Sequence, residues 1–305
     1  QKSSASSNGM RNFSVSIRSG SSGNSTYVRT ESARLAVDCA ISGRQFQRAL
    51  ESFGESAREL DALLLTHEHT DHASGIGVLM RRFKLPLYVT EKTFYAVEES
   101  LGKIADSQVH FITPGEHFAV SDTQILAFST PHDAVDSVGF RVATKEGDIG
   151  IATDLGHFSE TVREGLRGCR IVHIESNFDP DMLETGPYPQ SLKRRIASDV
   201  GHLSNDEAAL AASWLIRQGT LALALSHLSE ENNEPGIAWH TVSKFLASEG
   251  VIADSDYMLS VSKRYICSDP ISCSNPFETQ ESVAGFLGEQ LSLFSPDYAC
   301  QESGR

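Results

Sequence analysis

The stretch Thr66-His67-Glu68-His69-Thr70-Asp71-His72 constrains this chain more than any other. It lies between the apolar run at 62–65 and a helical pattern that begins near Ala73. On an extended segment alternate side chains share a face, so His67 and His69 can reach one point, with Asp71 and His72 following where the chain turns into the helix. Imidazole and carboxylate suit zinc or manganese. Three histidines and a carboxylate in so short a span exceed what one catalytic ion takes from protein. The pattern therefore predicts two divalent ions, Zn2+ or Mn2+. A polar strand end that merely happens to be rich in His would not need this spacing behind a buried strand.

The surrounding chain supplies a frame for such a site. Its 305 residues are 40% hydrophobic and 22% charged, enough to bury one large core or two modest ones. A net charge of -14 argues against indiscriminate coating of nucleic acid, which draws on clustered Lys and Arg. A nuclease stays open, because two divalent ions add up to four positive charges locally. No run approaches the roughly 18 apolar residues of a membrane span, so no membrane association is expected. The five Cys are scattered, without a Cys-x-x-Cys, which predicts a reducing, cytoplasmic setting with no disulfide framework.

Residues 1–10 are Ser-rich and read as a flexible leader. Alternation predicts strands at 13–17, from Tyr27, and at 35–38, then a helix carrying Phe46, Ala49, Leu50 and Phe53 that Gly54 ends. Ile76, Leu79, Met80 and Phe83 form another helical face, followed by a strand at 87–90 and a helix with Phe94, Val97 and Leu101. Strands at 125–129, 138–143, 149–153 and 171–174 come next, the second and third of them joined by a turn at Gly147. A basic helix at 190–197 precedes one at 204–217 that opens with the capping-box pair Ser204 and Glu207. A strand at 221–225, a helix with Ala238, Val242 and Phe245, and a strand at 257–262 complete the pattern. Two runs of strands with helices between them predict an α/β fold, a four-layer αββα sandwich with ligands at one rim of strand ends.

Three later polar residues stand directly past apolar strands, where that rim would be: His132, Asp154 and His227. Alone, any of them reads as a hydrogen-bonded turn residue. The loop at 19–25 is Gly, Ser and Asn chemistry; Ser22 and Asn24 are phosphate candidates, though a plain hairpin turn has the same composition.

The His-x-His-x-Asp-His of residues 67–72, behind a hydrophobic strand, resembles that of the metallo-β-lactamase fold superfamily. The later positions match that family in order. The resemblance implies that His67, His69 and His132 hold one ion, Asp71, His72 and His227 the other, and that Asp154 bridges both. A bridging carboxylate sets two ions roughly 3.5 to 4 Å apart, a spacing suited to phosphodiester cleavage. The antibiotic-degrading members place a Cys ligand in this region, and none occurs here, so β-lactam hydrolysis is disfavoured. His202, in Gly201-His202-Leu203-Ser204, resembles the His-Ser-Thr loop of the tRNA-3′-processing endonucleases, with Leu203 interrupting the match. Glu175 resembles the acid that orients that histidine, with the local spacing shifted by one. Asp71, His202 and Glu175 are accordingly the catalytic candidates, His202 as a general acid. Lys193, Arg194 and Arg195 precede His202 and are candidates to grip a DNA backbone. The short span from Asp154 to His227 leaves no room for the inserted second domain of the larger RNA-processing members.

Four further segments resemble the bacterial YycJ (WalJ) family: Ser-Gly-Ser-Ser-Gly-Asn-Ser near the start, the stretch around His132, the one from Glu175, and Leu-Ser-His-Leu-Ser-Glu-Glu-Asn-Asn around His227. This match implies a catalytic domain at 11–268 that digests double-stranded DNA from 5′ to 3′ in mismatch repair. Residues 269–305 carry six acids against Arg305 and three Pro, and read as an acidic tail. Within it, Gln290, Leu291, Leu293 and Phe294 resemble the pentapeptide with which bacterial DNA enzymes dock on the β sliding clamp. An amphipathic helix packed on the domain is the rival reading, weakened by Gly285 and Gly288. An RNA-processing or small-molecule phosphodiesterase on the same fold, and a non-catalytic clamp-binding adaptor, are the alternatives.

Overall fold

Runs of apolar residues on consecutive short strands demand cover on both faces of a sheet. The computed structural model, which describes residues 11–279, shows how that cover is achieved. The first half contains β1 (Phe13–Arg18), β2 (Ser25–Arg29), β3 (Arg34–Val37), α1 (Gly43–Ser52), β4 (Ala62–Leu64), α2 (Thr70–Ala73), α3 (Ile76–Phe83), β5 (Leu87–Thr90), α4 (Glu91–Leu101) and β6 (Val109–Ile112). The second opens with β7 (His117–Val120), β8 (Thr123–Ser129), β9 (Val138–Val142), β10 (Ile149–Ala152), α5 (Glu160–Leu166), β11 (Ile171–Glu175), α6 (Pro180–Thr185) and α7 (Gln190–Ile196). It closes with α8 (Asn205–Arg217), β12 (Ala222–Ser226), α9 (Pro235–Ser248), β13 (Met258–Val261) and β14 (Ile271–Ser272).

Two seven-stranded sheets result, ordered β14-β1-β2-β3-β4-β5-β6 and β13-β12-β11-β10-β9-β8-β7. Each is antiparallel at one end and parallel at the other: β3 to β6 run parallel in the first, β10 to β13 in the second. Strand alternation divides the core into three layers. On β4, Ala62 and Leu64 face the opposite sheet while Leu63, and Leu65 just past the strand, face the helices; on β12, Ala222 and Ala224 face inward while Leu223 and Leu225 meet α8 and α9. The four-layer sandwich expected from the sequence is the one observed, with no inserted second domain among the described residues. No helix there is long and apolar enough to cross a membrane.

Two expectations need correction. The boundary at 268 falls too early, because Ile271–Ser272 pairs with β1 and both Ile271 and Cys273 are buried. β6 and β7, each an outer strand of its sheet, were not anticipated; exposed His110, Phe111 and His117 break their apolar alternation. The leader at 1–10, and Gln290, Leu291, Leu293 and Phe294, lie outside the described residues.

What matters for the site is direction. β3, β4, β8, β10, β11 and β12 all end at one rim, and Asp38, His67, His132, Asp154, Glu175 and His227 stand at or just beyond those ends.

Candidate metal centre

Three of these rim residues have left-handed backbone conformations that non-glycine residues rarely adopt: Asp38 (φ 57°), Asp154 (φ 61°) and His227 (φ 57°). Each turns the chain sharply off a strand end and aims its side chain across the mouth of the sandwich. Such strain persists only where the surrounding structure imposes it.

The seven expected ligands are brought together. Possible ligand atoms of His67, His69 and His132 lie within 4.8 Å of one another, as do those of Asp71, His72 and His227, and those of His67, His72 and Asp154. Asp154 stands between the two trios. Its Oδ2 is 3.2 Å from His72 Nε2, and its Oδ1 is 3.7 Å from His132 Nε2. Asp71 Oδ2 lies 3.5 Å from His227 Nε2 and 3.7 Å from His72 Nε2.

Outward bonds decide which atom each histidine turns inward. The Nδ1–H of His72 donates to Asp38 Oδ2 at 2.8 Å, that of His132 to the Gly201 carbonyl at 3.1 Å, and that of His227 to Glu175 Oε1 at 2.8 Å. An oxygen that only accepts fixes the proton on Nδ1, so all three present an unprotonated Nε2 to a bound cation. Thr66 Oγ1 lies 2.9 Å from His67 Nδ1 and orients that ring likewise. His67 Nε2, Asp154 Oδ2 and His227 Nε2 are buried without a hydrogen-bond partner. Three orphaned ligand atoms from three separate loops, aimed at one space, are costly unless something satisfies them, and divalent cations would do so. The residues fit the group.

The electrostatics agree with that fit. Burial should raise the pKa of Asp154, yet the neighbouring His227 and His72 hold it well below the usual carboxylate range. Burial opposes charge on His227 too, but Asp154, Asp71 and Glu175 push its pKa up to about 10. His72 is raised well above its ordinary value by Asp154 and Asp38 against the same burial. His67 goes the other way: burial, and then the charge of His72, drive it well down. The pocket is thus a buried anionic centre that favours positive charge.

Beside the metal residues stands a carboxylate–imidazole pair. Glu175 is fully buried; its Oε1 accepts from His202 Nδ1 at 2.8 Å as well as from His227, and its Oε2 accepts the N–H of Leu155 and Leu203. Burial disfavours a charged His202, but Glu175 overrides it and the pKa rises.

The remaining candidates divide. Asn24 is buried, and its amide faces His72 Nε2 at 3.1 Å and Asp71 while its own N–H donates to the Asp71 carbonyl at 2.7 Å. It is a strut for the loop of Asp71 and His72 rather than a group open to phosphate; Ser21 and Ser22 are exposed at the tip. Lys193 is also a correction: it is buried, and its ammonium donates to the Glu184 carbonyl at 2.5 Å, because α7 packs that face toward the end of α6. Arg195 pairs with Asp133 at 2.5 Å beside His132, and Arg194 is exposed.

Several site residues escaped the sequence reading. Asp38 also accepts from the Thr66 N–H and hydroxyl. Ser19 Oγ accepts the His227 N–H at 2.7 Å, and Asn177 donates to the His227 carbonyl at 2.7 Å. Asp38 was findable, since it follows its strand as Asp154 follows its own; Ser19 and Asn177 left no local signal.

Comparison with known proteins bears on this arrangement. Residues 33–223 match the family described as a β-lactamase superfamily domain. Exodeoxyribonuclease YycJ of Bacillus anthracis is 37% identical, covering 78% of this chain and 90% of that protein. Exodeoxyribonuclease WalJ of Streptococcus pneumoniae is 37% identical, covering 79% and 90%. The metallo-β-lactamase fold protein YhfI from Bacillus subtilis superposes with a TM-score of 0.61 over 85% of this chain and 99% of its own, at 17% identity, a likeness of fold alone.

Proposed function

Since this chain belongs to the β-lactamase superfamily, and within it to the family of the YycJ and WalJ exodeoxyribonucleases, we propose that it is a metal-dependent exonuclease that digests double-stranded DNA from 5′ to 3′. The observation that carries this reading is the position of Asp154, a buried carboxylate facing two separate trios of ligand residues. On this reading His67, His69 and His132 would hold one divalent ion and Asp71, His72 and His227 the other, with Asp154 a candidate ligand of both. Zinc or manganese bound there would supply water activation and neutralise charge on a phosphodiester.

The protein's own groups do the rest. Asp71, a half-buried carboxylate beside His72 and His227, limits where the phosphate sits. His202, with Nδ1 tied to Glu175, offers its Nε2 proton to the leaving oxygen; general-acid catalysis of this kind contributes roughly 10²- to 10⁴-fold. Glu175 aligns that imidazole and favours its protonated form. Exposed Arg194, and Arg195 paired with Asp133 beside His132, are the groups that would steer the DNA backbone.

An acidic chain binds DNA poorly unaided, so recruitment matters. We assign that task to Gln290, Leu291, Leu293 and Phe294 as a β sliding clamp motif, which raises the effective concentration at DNA and suits a role in mismatch repair. Free Cys39, Cys169, Cys267 and Cys273 suit a reducing cytoplasm.

The test is digestion of 5′-phosphorylated, end-labelled duplex DNA with each metal. Wild type should degrade it from the 5′ end and Asp154→Ala should not; a variant of undiminished rate refutes the reading. Cleavage of tRNA precursors or bis-p-nitrophenyl phosphate with duplex DNA untouched would instead favour the RNA or small-molecule enzyme. Deleting 290–294 should abolish capture by the clamp and spare digestion of naked DNA. A full ligand set with no hydrolysis of any phosphodiester would leave a clamp adaptor.

A further inference from the structure

Glu175, His202 and His227 come from three separate segments: the end of β11, the loop before α8 and the turn after β12. Both histidines nevertheless bond one oxygen, Glu175 Oε1, at 2.8 Å. A single bond to a carboxylate orients an imidazole but does not fix where its segment sits.

A second polar cluster spans the same three segments. Ser176 follows Glu175 directly, Asn205 lies three residues past His202 and Asn233 six past His227, and all three are buried. Asn205 and Asn233 form a reciprocal amide pair: Asn205 Nδ2 donates to Asn233 Oδ1 at 3.0 Å, and Asn233 Nδ2 donates to Asn205 Oδ1 at 2.9 Å. Asn233 Nδ2 also donates to the Ser176 carbonyl at 2.9 Å, and the Ser176 hydroxyl donates to Asn205 Oδ1 at 2.6 Å. Asn233 Oδ1 accepts the Glu234 N–H at 2.9 Å as well. None of these bonds involves a metal residue or the Glu175 carboxylate. For stability alone such a cluster is a poor choice, since apolar residues of the same shape would serve as well without any polar group to satisfy. A closed network supplies something apolar contacts lack, a single permitted register, because sliding one segment breaks its bonds to the other two.

We propose that Ser176, Asn205 and Asn233 are positioning residues, a hydrogen-bonded latch that sets the His202 loop against Glu175 and so holds the imidazole where it protonates the leaving oxygen. The latch touches neither substrate nor ion and acts only through His202. This inference rests on the reading of His202 as the general acid.

The experiment measures single-turnover rates on duplex DNA and on bis-p-nitrophenyl phosphate, whose nitrophenolate departs without needing a proton. The variants are Asn205→Ala and Ser176→Ala, each alone and combined with His202→Ala. Asn205→Ala should slow DNA cleavage about 10²-fold, the scale of a displacement of about 1 Å. The milder Ser176→Ala, which leaves the amide pair intact, should slow it about threefold. Both should hydrolyse the nitrophenyl ester within about twofold of wild type. In the His202→Ala background neither substitution should slow DNA cleavage further, because the group they position is gone. Should circular dichroism show Asn205→Ala unfolded, Ser176→Ala decides alone. A loss shared equally by both substrates, a loss that persists without His202, or unchanged DNA cleavage overturns the latch and leaves the general acid standing. A His202→Ala variant that cuts DNA at the wild-type rate overturns the general-acid reading, and the latch with it.

Discussion

Replacing Asp38 with Asn tests whether the metal residues are held by the layer behind them. Asp38 Oδ1 accepts the Thr66 N–H, and Oδ2 accepts both the Thr66 hydroxyl and the His72 Nδ1–H, each at 2.8 Å. Asn keeps the shape and tolerates φ of 57°, so the backbone is not disturbed. It has one oxygen where the carboxylate has two. If that oxygen keeps the Thr66 N–H, the amide NH2 confronts His72 Nδ1–H, and the ring must move its proton to Nε2, the atom a cation needs. If the amide turns over, the Thr66 N–H is left buried and unpaired, a cost of about 1–3 kcal/mol. Either way the ion on Asp71, His72 and His227 is weakened, by roughly 10- to 100-fold for the loss of such a partner, or about 1.4–2.7 kcal/mol. The trio of His67, His69 and His132 has no bond to Asp38 except through Thr66 and should change little. Competition titration with a chromophoric zinc chelator resolves the two affinities, with circular dichroism to verify the fold. Two ions bound as tightly as in wild type would refute the reasoning.

Other predictions follow from the same geometry. His202→Ala should lower kcat on DNA by roughly 10²- to 10⁴-fold while both ions stay bound, as read by single-turnover cleavage and metal analysis. Glu175→Gln disturbs His202 and His227 together and should cost both activity and metal, so a variant that loses only activity would separate the two bonds. His173, buried between the sheets against Ser14 at 2.8 Å, has its pKa pushed down to about 4 by burial. Its neutral form therefore contributes full stability above the unfolded value near 6.5, lost as pH falls from about 6.5 to about 4 and worth about 3 kcal/mol. In urea unfolding of metal-free protein, His173→Gln should flatten that part of the pH dependence; an unchanged slope would place the acid sensitivity elsewhere.

The legible parts of the chain were those where one physical rule acted alone. Parallel strands covered on both faces read as unbroken apolar runs, so β4, β10 and β12 stood out, and the polar residues past them pointed to the rim. Capping chemistry marked the start of α8, where Ser204 and Glu207 bond reciprocally as expected. Edge strands obey no such rule: β6 and β7 expose aromatic and imidazole side chains that scramble the period. Composition also misled where tertiary packing decides the role of a side chain. Lys193 belongs to a basic run, but its helix face is set by the neighbouring α6, which caps the ammonium inside the protein. Asn24 sits in a loop typical of anion binding, yet that loop folds down on Asp71 and His72. Glu175 shows the opposite case: an acid at a strand end looks unremarkable until two histidines from distant segments, His202 and His227, meet one of its oxygens.

The central claim is that one carboxylate joins two cation sites. Zinc or manganese K-edge absorption on the loaded protein, with metal content measured on the same sample, tests it directly. Two ions per chain with a metal–metal vector of roughly 3.5–4 Å, abolished in Asp154→Asn, is the predicted result. A single ion in wild type, or a vector that survives removal of the Asp154 carboxylate, would contradict it.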